Sequence, residues 1–510
     1  MKRFINIFAL LFAAIQLNAQ STYDVIPLFH SDLTGTARFV GMGGAMSALG
    51  GDISVISTNP AGIGIYRSND LNASLSFGTL NTKADFNGSS LSKDKTLFSF
   101  DNIGAVFSAN IDDGAFKYVN IAFNYKRRNN FRKDFAMNGW YTDDDNQPLY
   151  SQQFQIQNLY DLSQPDLGAI TGDSYNNPRY PWLPLLAADA GIIDATGEIM
   201  YLPTDATFYS EERGGVDQID GNLSFNFNDR LYLGVTIGAM YVDSKRYSVY
   251  GEYDDFGNIY TLENRRKTEG TGFDVKLGAI VRPFEYSPLR LGLAFHLPTY
   301  YTLTDYTSAY IAGPEDAEGN YNEMATNWPD AYGDDYIVDY NVRSPWRMNV
   351  SAGYTFGNIL ALNAEYELVD YSSAHMEYTD GPDMIDMNDE FDSNMKTSHI
   401  FRLGAEVRLD DNLSMRCGYN YISSCFNDDA WKYISPYSAM TATDYTNTKE
   451  TNLFTLGLGY RSKSMYFDAA YQCAMQDADF FAYKDPEVNL PATKVSYFQN
   501  KFVFTVGVRF

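Results

Sequence analysis

The 510-residue sequence contains little cysteine, little histidine and few basic residues relative to acidic ones. Its three cysteines provide neither a disulfide framework nor the paired spacing of a zinc site, so we interpret them as packing residues. Its four histidines occur without a Gly-x-Ser-x-Gly elbow or a metal-binding pair, so the sequence predicts no enzyme, metal or cofactor. A net charge of -26 argues against nucleic acid as a partner, because such proteins need a basic surface.

Long apolar runs are also absent after the first twenty residues. Lys2 and Arg3, the apolar stretch 4–15 and a small-residue site ending at Ala19 are typical of a secretory signal, so we predict a signal peptide over residues 1–19. A membrane-spanning helix needs roughly 20 apolar residues, and no later segment provides them. This absence excludes a helical membrane protein. It leaves a transmembrane barrel, in which only alternate residues face lipid.

What the sequence has instead is alternation, repeated from residue 70 to the C-terminus. In the last segment Phe502, Phe504 and Val506 share one parity, while Thr505 and Arg509 share the other. A soluble β-sandwich also alternates, but its strands have about 5 or 6 residues. These runs approach the roughly 9 to 11 residues that cross a bilayer at a tilt. We therefore predict an all-β protein, a transmembrane antiparallel β-barrel over residues 70–510.

Counting these runs predicts about 14 strands, an even number as in single-chain bacterial barrels. We place them near 70–80, 98–110, 115–127, 217–228, 230–248, 266–281, 288–304, 336–356, 358–373, 396–409, 412–425, 448–461, 463–477 and 494–510. Short turns alternate along the chain with long loops at 81–97, 128–216, 249–265, 305–335, 374–395, 426–447 and 478–493, of which 128–216 is the largest. This asymmetry predicts periplasmic turns, extracellular loops and two periplasmic mature termini, in the bacterial outer membrane.

Residues 20–69 lack the alternation and are rich in glycine. Glycine and proline interrupt a strand ladder, and irregular backbone is tolerated inside a polar lumen, so we predict that this segment is a hatch that plugs the barrel. The candidate residues of the ligand path and gate are Gly41, Gly43, Gly44, Asn59, Pro60, Ala61 and Gly62. Glycine freedom suits a plug with two arrangements, but it also suits a static turn, and both interpretations remain open.

An apolar stretch in the largest loop is a candidate external patch for ligand capture. It comprises Trp182, Leu183, Leu185, Leu186, Ile192 and Ile193. An exposed apolar patch on an acidic loop marks binding, whereas the alternative is a small helix that closes the loop's own core. The acidic stretch 383–392 suggests calcium, but it lacks the glycine and terminal glutamate of an EF-hand loop, so solvated loop charge is favoured.

Two N-terminal motifs closely resemble the signature of the FadL-type outer-membrane transport family. They are ARFVGMGGA at residues 37–45 and TNPAG at residues 58–62, and SPWR at 344–347 and RLGAE at 402–406 resemble that family too. The resemblance implies a barrel of the same strand count whose N-terminal hatch contains the Asn-Pro-Ala element, here residues 59–61. It also implies inward transport of hydrophobic molecules such as long-chain fatty acids or aromatic hydrocarbons.

Two functional hypotheses remain, because loop 128–216 is large for a simple transporter and some relatives in the broad family serve secretion or surface attachment. The first is passive uptake of a hydrophobic or amphipathic small molecule by a barrel embedded in outer-membrane lipid and gated by the hatch. The second is an outer-membrane anchor whose acidic extracellular loops bind a protein partner of a surface or secretion complex. In either case we interpret lumen-parity ionisable residues, among them Arg402 and Glu406, as ion pairs that fill the interior.

Overall fold

One antiparallel sheet closes on itself in the structure, a computed structural model that describes residues 20–140, 151–175, 177, 179–315, 321–325, 336–484 and 490–510. Its strands are β1 Asp70–Phe86, β2 Ser89–Asp113, β3 Phe116–Asn130, β4 Lys133–Trp140, β5 Asp205–Phe227, β6 Leu231–Asp254, β7 Gly257–Val281, β8 Arg290–His296, β9 Tyr300–Glu315, β10 Tyr321–Ala325, β11 Tyr336–Arg343, β12 Arg347–Phe356, β13 Leu360–Asp370, β14 His375–Tyr378, β15 Thr397–Arg408, β16 Leu413–Ile422, β17 Tyr445–Arg461, β18 Met465–Phe481 and β19 Thr493–Arg509. The first and last strands pair from Asp70↔Arg509 to Asp85↔Lys494, which closes the barrel.

The barrel has 14 strands. Four of them are interrupted and appear as the segment pairs β3/β4, β8/β9, β11/β12 and β13/β14, while β10 only extends β9 as a hairpin, so the 19 segments form the 14 barrel strands. The predicted fold class and strand count are therefore confirmed. The predicted signal peptide, residues 1–19, lies outside the described residues.

The outer surface carries the apolar belt that the alternation predicts. Phe502, Phe504 and Val506 are 42, 45 and 47% exposed, whereas Val503 and Thr505 between them are buried. Neighbouring strands add to the same surface, as where the Phe77 ring stacks on that of Phe504 at a centroid distance of 5.7 Å. A continuous outward apolar surface of this kind suits lipid.

The two ends of the barrel differ. Short connections join strands at one end, which we call the short-turn rim, at residues 114–115, 228–230, 282–289, 357–359, 409–412 and 462–464. The C-terminus lies at this rim, where Phe510 and Asn69 exchange backbone hydrogen bonds of 3.0 and 3.2 Å. The opposite end, the long-loop rim, carries the longer connections.

Two of the predicted long loops are wrong. Residues 81–97 and 249–265 continue as paired strand and reverse in tight turns at 87–88 and 255–256. At these outer ends polar residues occupy both faces, so the apolar alternation that identified the strands is lost while backbone pairing persists. Strand β7, with 25 residues, is accordingly far longer than the roughly 9 to 11 residues needed to cross a bilayer.

Six helices complete the described elements. They are α1 Thr22–Phe29, α2 Ala37–Gly41, α3 Gln152–Ser163, α4 Gly172–Tyr175, α5 Trp182–Asp189 and α6 Ile385–Asn394, with 3-10 turns at Ile53–Ser57, Pro60–Ile65, Leu167–Ala169 and Tyr371–Ser373. None of the helices within the described ranges is long and apolar enough to cross a membrane.

The predicted hatch, residues 20–69, packs against lumen-facing strand residues along the length of the barrel. It begins near the long-loop rim, where Thr22 contacts Glu390 of α6, and ends at the short-turn rim, where β1 begins at Asp70. Residue 20 therefore lies away from the short-turn rim, where the C-terminus lies, and the periplasmic position of the two mature termini stays a prediction. Strand parity locates the ends of the barrel strands, but it contains no information about the course of the segment that precedes them.

Candidate functional site

The long-loop half of the lumen holds helix α1. Ser21 caps this helix by accepting a hydrogen bond from the backbone N–H of Tyr23, and Asp24 accepts one from the backbone N–H of Ser21, at 3.2 and 3.0 Å. One face of this helix is apolar, and that face is buried. Its buried apolar residues are Val25, Ile26, Leu28 and Phe29.

Methionine and aromatic side chains surround this face of α1 and form what we call the apolar chamber. Its wall comprises strand residues Val216, Met240, Val242, Tyr301, Leu303, Val369 and Ile400 together with Met376, Met384, Met387, Phe391, Met395 and Phe426 near the long-loop rim. Methionine is flexible and polarisable, so such a wall can adapt to ligands of different shape. Inward-facing strand residues are usually polar in water-filled barrels, so this part of the lumen is unusual.

Polar contacts also hold α1 in the apolar chamber, among them a hydrogen bond from the Tyr23 hydroxyl to Asn447 Oδ1 at 3.0 Å. The Glu390 carboxylate accepts hydrogen bonds from Thr22 Oγ1 at 2.5 Å, from Thr22 N at 3.2 Å and from Tyr433 N at 3.0 Å. Asp24 forms an ion pair with Arg266, and the guanidinium of Arg347 donates to the carbonyl of Phe29. Burial raises the pKa of Glu390 to about 7, even though these donors favour its charged form.

A small charged cavity of about 100 Å³ lies next to α1, towards the short-turn rim, and we call it the central cavity. Its lining contains both cations and anions. The cations are Lys126, Arg128, Lys276, Arg347 and Arg402, the anions are Asp32, Asp274 and Glu367, and His30 and His296 lie beside them. Burial, with the nearby Arg347 and Arg128, lowers the pKa of His30 to about 4, so this ring is neutral at pH 7. The central cavity therefore offers charged groups beside apolar ones, since Leu33, Leu297 and Ile400 also line it.

The wall beside the central cavity contains three neighbouring strand interruptions. They lie at residues 297–299, 344–346 and 371–374, and two of them contain proline, which cannot donate to the ladder. Backbone hydrogen bonds still cross the wall there, from Leu297 N to Val275 O at 3.0 Å and from Ser344 N to Thr299 O at 2.9 Å. The strand ladder is interrupted at this level, and these bonds keep the strands joined.

Backbone-to-backbone packing attaches the glycine-rich part of the hatch to the wall. Gly43 and Gly44 adopt positive φ angles of 65° and 77°, which glycine allows. A Cβ at Gly418 of β16 would lie 2.2 Å from Gly43 N, and a Cβ at Gly41 would lie 3.1 Å from the Cα of Gly457. Glycine is therefore needed on both surfaces for this approach. A hydrogen bond of 3.1 Å from Thr455 Oγ1 to Gly41 O adds to this contact.

The Asn-Pro-Ala-Gly element at residues 59–62 packs on the opposite side of the lumen, against β5 and β7. Asn59 caps the 3-10 turn Pro60–Ile65 by accepting from Ala61 N at 3.1 Å, and Ser224 Oγ donates to Pro60 O at 2.9 Å. Glycines again permit the approach, because a Cβ at Gly278 would lie 2.1 Å from Asn59 Oδ1. All seven predicted hatch residues are thus buried against the barrel. Their role in gating stays a prediction.

Ion pairs add a second attachment between hatch and wall. Arg38 of the hatch pairs with Glu406 at 2.8 Å, and Arg416 pairs with Glu406 at 2.6 Å and with Asp468 at 2.5 Å. A second group joins Arg402 to Glu367 at 2.8 Å and to Glu365 at 3.6 Å. The structure thus shows the predicted pairing of lumen ionisable residues. Removing one partner of a buried pair leaves an uncompensated charge, so these contacts resist separation.

A larger cavity of about 480 Å³, which we call the vestibule, opens where the hatch meets the short-turn rim. Its walls come from hatch residues near 49–51 and 65–68 and from short turns near 357–359 and 411–412. Seven arginines line it: Arg38, Arg67, Arg290, Arg408, Arg416, Arg461 and Arg509. Such a concentration contrasts with the net charge of -26 of the chain.

The predicted external patch is not exposed. Its six residues are all buried, and the most exposed of them, Trp182, has only 6% of its surface accessible. Helix α5 packs with α3, the outer ends of several strands and residues 434–440 in one apolar core, which we call the cap core. The indole N–H of Trp182 donates to Tyr175 O at 2.8 Å. The residues interpreted as a capture surface therefore close the loop's own core, because their summed apolar area is buried most fully there.

The acidic stretch forms helix α6 and a short turn before it. One group of potential metal ligands occurs among the described residues: His375, Glu377 and Asp383 have ligand atoms within 4.8 Å of one another. His375 Nε2 and Asp383 Oδ1 are 2.9 Å apart, and His375 and Glu377 lie on one face of the four-residue strand β14. A hydrogen-bonded pair at the surface explains this geometry without an ion.

Comparison with known proteins supports the architecture. No protein-family model and no curated protein matches the sequence. The crystal structure of a Pseudomonas aeruginosa FadL homologue gives a TM-score of 0.53 at 13% identity, over 94% of this chain and 99% of that chain. A deltaS2 mutant of the TodX monoaromatic hydrocarbon channel gives 0.52 at 11% identity, over 94% and 100%. This chain has the FadL fold. The resemblance noted at residues 37–45 and 58–62 is confirmed as a shared fold.

The sequence alone does not predict which residues the barrel brings together in the apolar chamber. Helix α1 carried a detectable signal, since Ser21 and Asp24 have the spacing of a capping box before an apolar run. The methionines of the chamber wall carried none. They belong to strands β6 and β14, to helix α6 and to the residues that flank it, all distant in sequence from α1, and only the closed barrel makes them neighbours.

Proposed function

We propose that the protein is an outer-membrane channel for passive uptake of hydrophobic or amphipathic small molecules, gated by its hatch. The observation that carries this proposal is the apolar chamber. A lumen that passes water and hydrophilic solutes is polar, whereas here inward-facing strand residues such as Val216, Leu303 and Val369 are apolar and buried around α1. A compartment of this kind favours an apolar solute over water because apolar surface gains free energy on leaving water.

Within this proposal α1 is the part of the hatch that moves. The hatch body is attached by close backbone contacts at glycines and by the Arg38–Glu406 ion pair. Helix α1 instead packs through apolar side chains on a wall rich in methionine, with polar contacts to Glu390, Asn447 and Arg266. A ligand entering from the long-loop rim would take the place of the apolar face of α1. Ligand and helix then compete for one chamber, so ligand binding itself displaces the gate. No energy source is required, because the ligand moves down its own gradient.

The docking hypothesis lacks comparable support. A docking arm needs exposed residues that a partner can bury. The loop between β4 and β5 instead buries the six residues of the predicted external patch, among them Trp182 and Leu186, in the cap core, whereas Leu162, Met200 and Leu202 of the same loop are exposed. The predicted patch is therefore used within the protein itself.

Three methionines of the chamber wall provide a direct test. Replacing Met384, Met387 and Met395 with glutamine keeps side-chain length and adds polar groups, so the chamber should accept apolar ligands less well. The matched control replaces the same three residues with leucine, which preserves volume and apolar character. Cells that have no other channel for such compounds would be supplied with radiolabelled dodecan-1-ol, and its uptake would be compared between the variants.

We expect the leucine variant to retain uptake and the glutamine variant to lose most of it. Both must first reach the membrane as folded barrels, which the difference in gel mobility between unheated and heated samples reports. Equal uptake by the two variants would contradict a path through the chamber. Wild-type uptake no greater than that of cells with an unrelated barrel would contradict the transport function as a whole.

A further inference from the structure

We propose that helix α6 is a lid over the apolar chamber, and that its opening admits an apolar ligand and limits the rate of entry. The ligand passes beneath α6 at the side of the barrel mouth, and not through the cap core along the barrel axis. This inference rests on the proposed function, because it names the entrance that transport into the chamber requires.

Buried charge separates the apolar chamber from the cap core along the barrel axis. Three strands place an apolar chamber residue, a charged residue and an apolar cap-core residue in this order: Val216, Glu212 and Phe208 on β5, Val242, Arg246 and Tyr250 on β6, and Leu303, Asp305 and Ala309 on β9. Arg246 pairs with Asp444 at 2.5 Å, and Asp305 accepts a hydrogen bond of 2.5 Å from Thr268 Oγ1. An apolar ligand on the axis would separate such partners and leave uncompensated charge, so this route is unfavourable.

Helix α6 is a single layer between the apolar chamber and solvent. Met387 and Phe391 on one face belong to the chamber wall and are each 1% exposed. Ile385 on the other face is 68% exposed, and Asp389 and Asp392 are exposed there too. Displacement of this one helix therefore connects the chamber with solvent while the barrel strands stay in place.

The sequence of α6 gives it little helical stability of its own. Six of its ten residues are Asp, Asn or Ser, which rank low in helix propensity. No side chain caps its N-terminus, and its last turn contains Asp392 and no basic residue, an arrangement that the helix dipole disfavours. A helix of this length is marginal without tertiary contacts. It therefore depends on its packing over the chamber, and it belongs to the class of segments that open locally.

The bonds at the edges of α6 also connect the lid with the gate. Asn388 Nδ2 donates to Met376 O of β14 at 2.9 Å, which holds the helix beside the barrel. Glu390 accepts a hydrogen bond of 2.5 Å from Thr22 Oγ1 of α1. Opening of the lid therefore removes a bond that holds α1 in the chamber, so entry of a ligand and displacement of α1 are coupled.

Paired substitutions on the exposed face of α6 test the lid without changing the chamber wall. The variants D389G/D392G and D389A/D392A lose the same two charges, but two glycines disfavour a helix roughly 15- to 30-fold more than two alanines. The matched pair N158G/D161G and N158A/D161A makes the same change in α3, which packs in the cap core. All four must show the heat-dependent gel mobility of a folded barrel.

Two measurements are made on each variant. The thiol of Cys425 lies in the chamber wall and is 2% exposed, so its rate of reaction with a water-soluble maleimide reports opening of the chamber. Cys417 and Cys473 are replaced by alanine throughout, which leaves Cys425 as the only thiol. Uptake of radiolabelled dodecan-1-ol, well below saturation, is then measured in cells that have no other channel for it.

We expect the glycine variant of the lid to exceed its alanine partner by about 15- to 30-fold in both rates, and the two cap variants to be equal in both. Equal uptake or equal Cys425 reaction by the two lid variants would overturn the lid. Faster uptake by the glycine variant of the cap alone would place the entrance on the axis and overturn it too. Failure of the transport function would appear separately, as absent dodecan-1-ol uptake by the wild type, and the Cys425 rates would still stand.

Discussion

A single methyl group at Gly418 should release the hatch from the barrel wall without opening the barrel itself. Gly418 faces the lumen on β16, and in the variant G418A the new Cβ would lie 2.2 Å from Gly43 N and 2.3 Å from Met42 C. Both neighbours are backbone atoms, so no side-chain rotation can relieve the overlap. Ordinary contact begins at 3.4 Å, so the hatch must retreat by about the difference, ~1.2 Å.

The energetic consequence follows from the contacts at this point. Overpacking of a well-packed interior costs about 1 to 3 kcal/mol. This range includes the lengthening of the bond from Thr455 Oγ1 to Gly41 O, which is worth about 1 kcal/mol. A change of about 1 to 3 kcal/mol corresponds to a roughly 5- to 150-fold rise in the undocked fraction of the hatch. The barrel strands keep their own ladders, so their stability should change much less.

Hydrogen exchange read by mass spectrometry measures both quantities in one experiment. Amides of residues 37–47 should exchange about 5- to 150-fold faster in G418A than in the wild type, while amides of β16 and β17 keep their rates. The control is G221A, since a Cβ at Gly221 meets only Phe123 Cε1 at 4.0 Å. Unchanged exchange in G418A would refute the close-contact argument. Faster exchange of the β16 strand to the same degree would show that the strand, and not hatch docking, had been damaged.

Two further perturbations test the gate and the belt. Burial raises the pKa of Glu390 to about 7, so the neutral carboxyl stabilises the docking of α1. This stabilisation is complete below the unfolded pKa, about 4.5. It is lost as the pH rises through 7, at a cost of up to about 3 kcal/mol. Hydrogen exchange of residues 22–29, corrected for the intrinsic rate at each pH, should therefore accelerate from pH 5 to pH 8 in the wild type. It should also accelerate in D389N, a control at an exposed residue, but not in E390Q. A pH dependence retained in E390Q would contradict the assignment of this effect to Glu390. Leu403 is 55% exposed within the outward apolar belt, so L403R should lower the free energy of unfolding in lipid vesicles by about 2 to 4 kcal/mol, and L403A by less. Urea titration read by gel migration measures this, and a wild-type midpoint for L403R would mean that this surface does not face lipid.

The short connections show how far local sequence signals reach. Asn228 and Asp229, with φ angles of 53° and 55°, form the reversal between β5 and β6 that their residue types favour. The outer ends of β1, β2, β6 and β7 carried no such signal, because polar residues on both faces remove the period. The predicted capture patch failed for a related reason. An apolar stretch such as residues 182–186 has the same composition whether it faces solvent or a core.

The sequence by itself determined the barrel, because a strand with lipid on one side must alternate at a period of two residues, and each strand shows that period independently of all others. It also marked the hatch, since glycine and proline exclude residues 20–69 from the ladder. Only the tertiary structure decided what fills the lumen. The apolar chamber, the glycine contacts and the arginines of the vestibule each join residues separated by hundreds of positions. Their proximity follows from closure of the sheet around the hatch, and no local period encodes it.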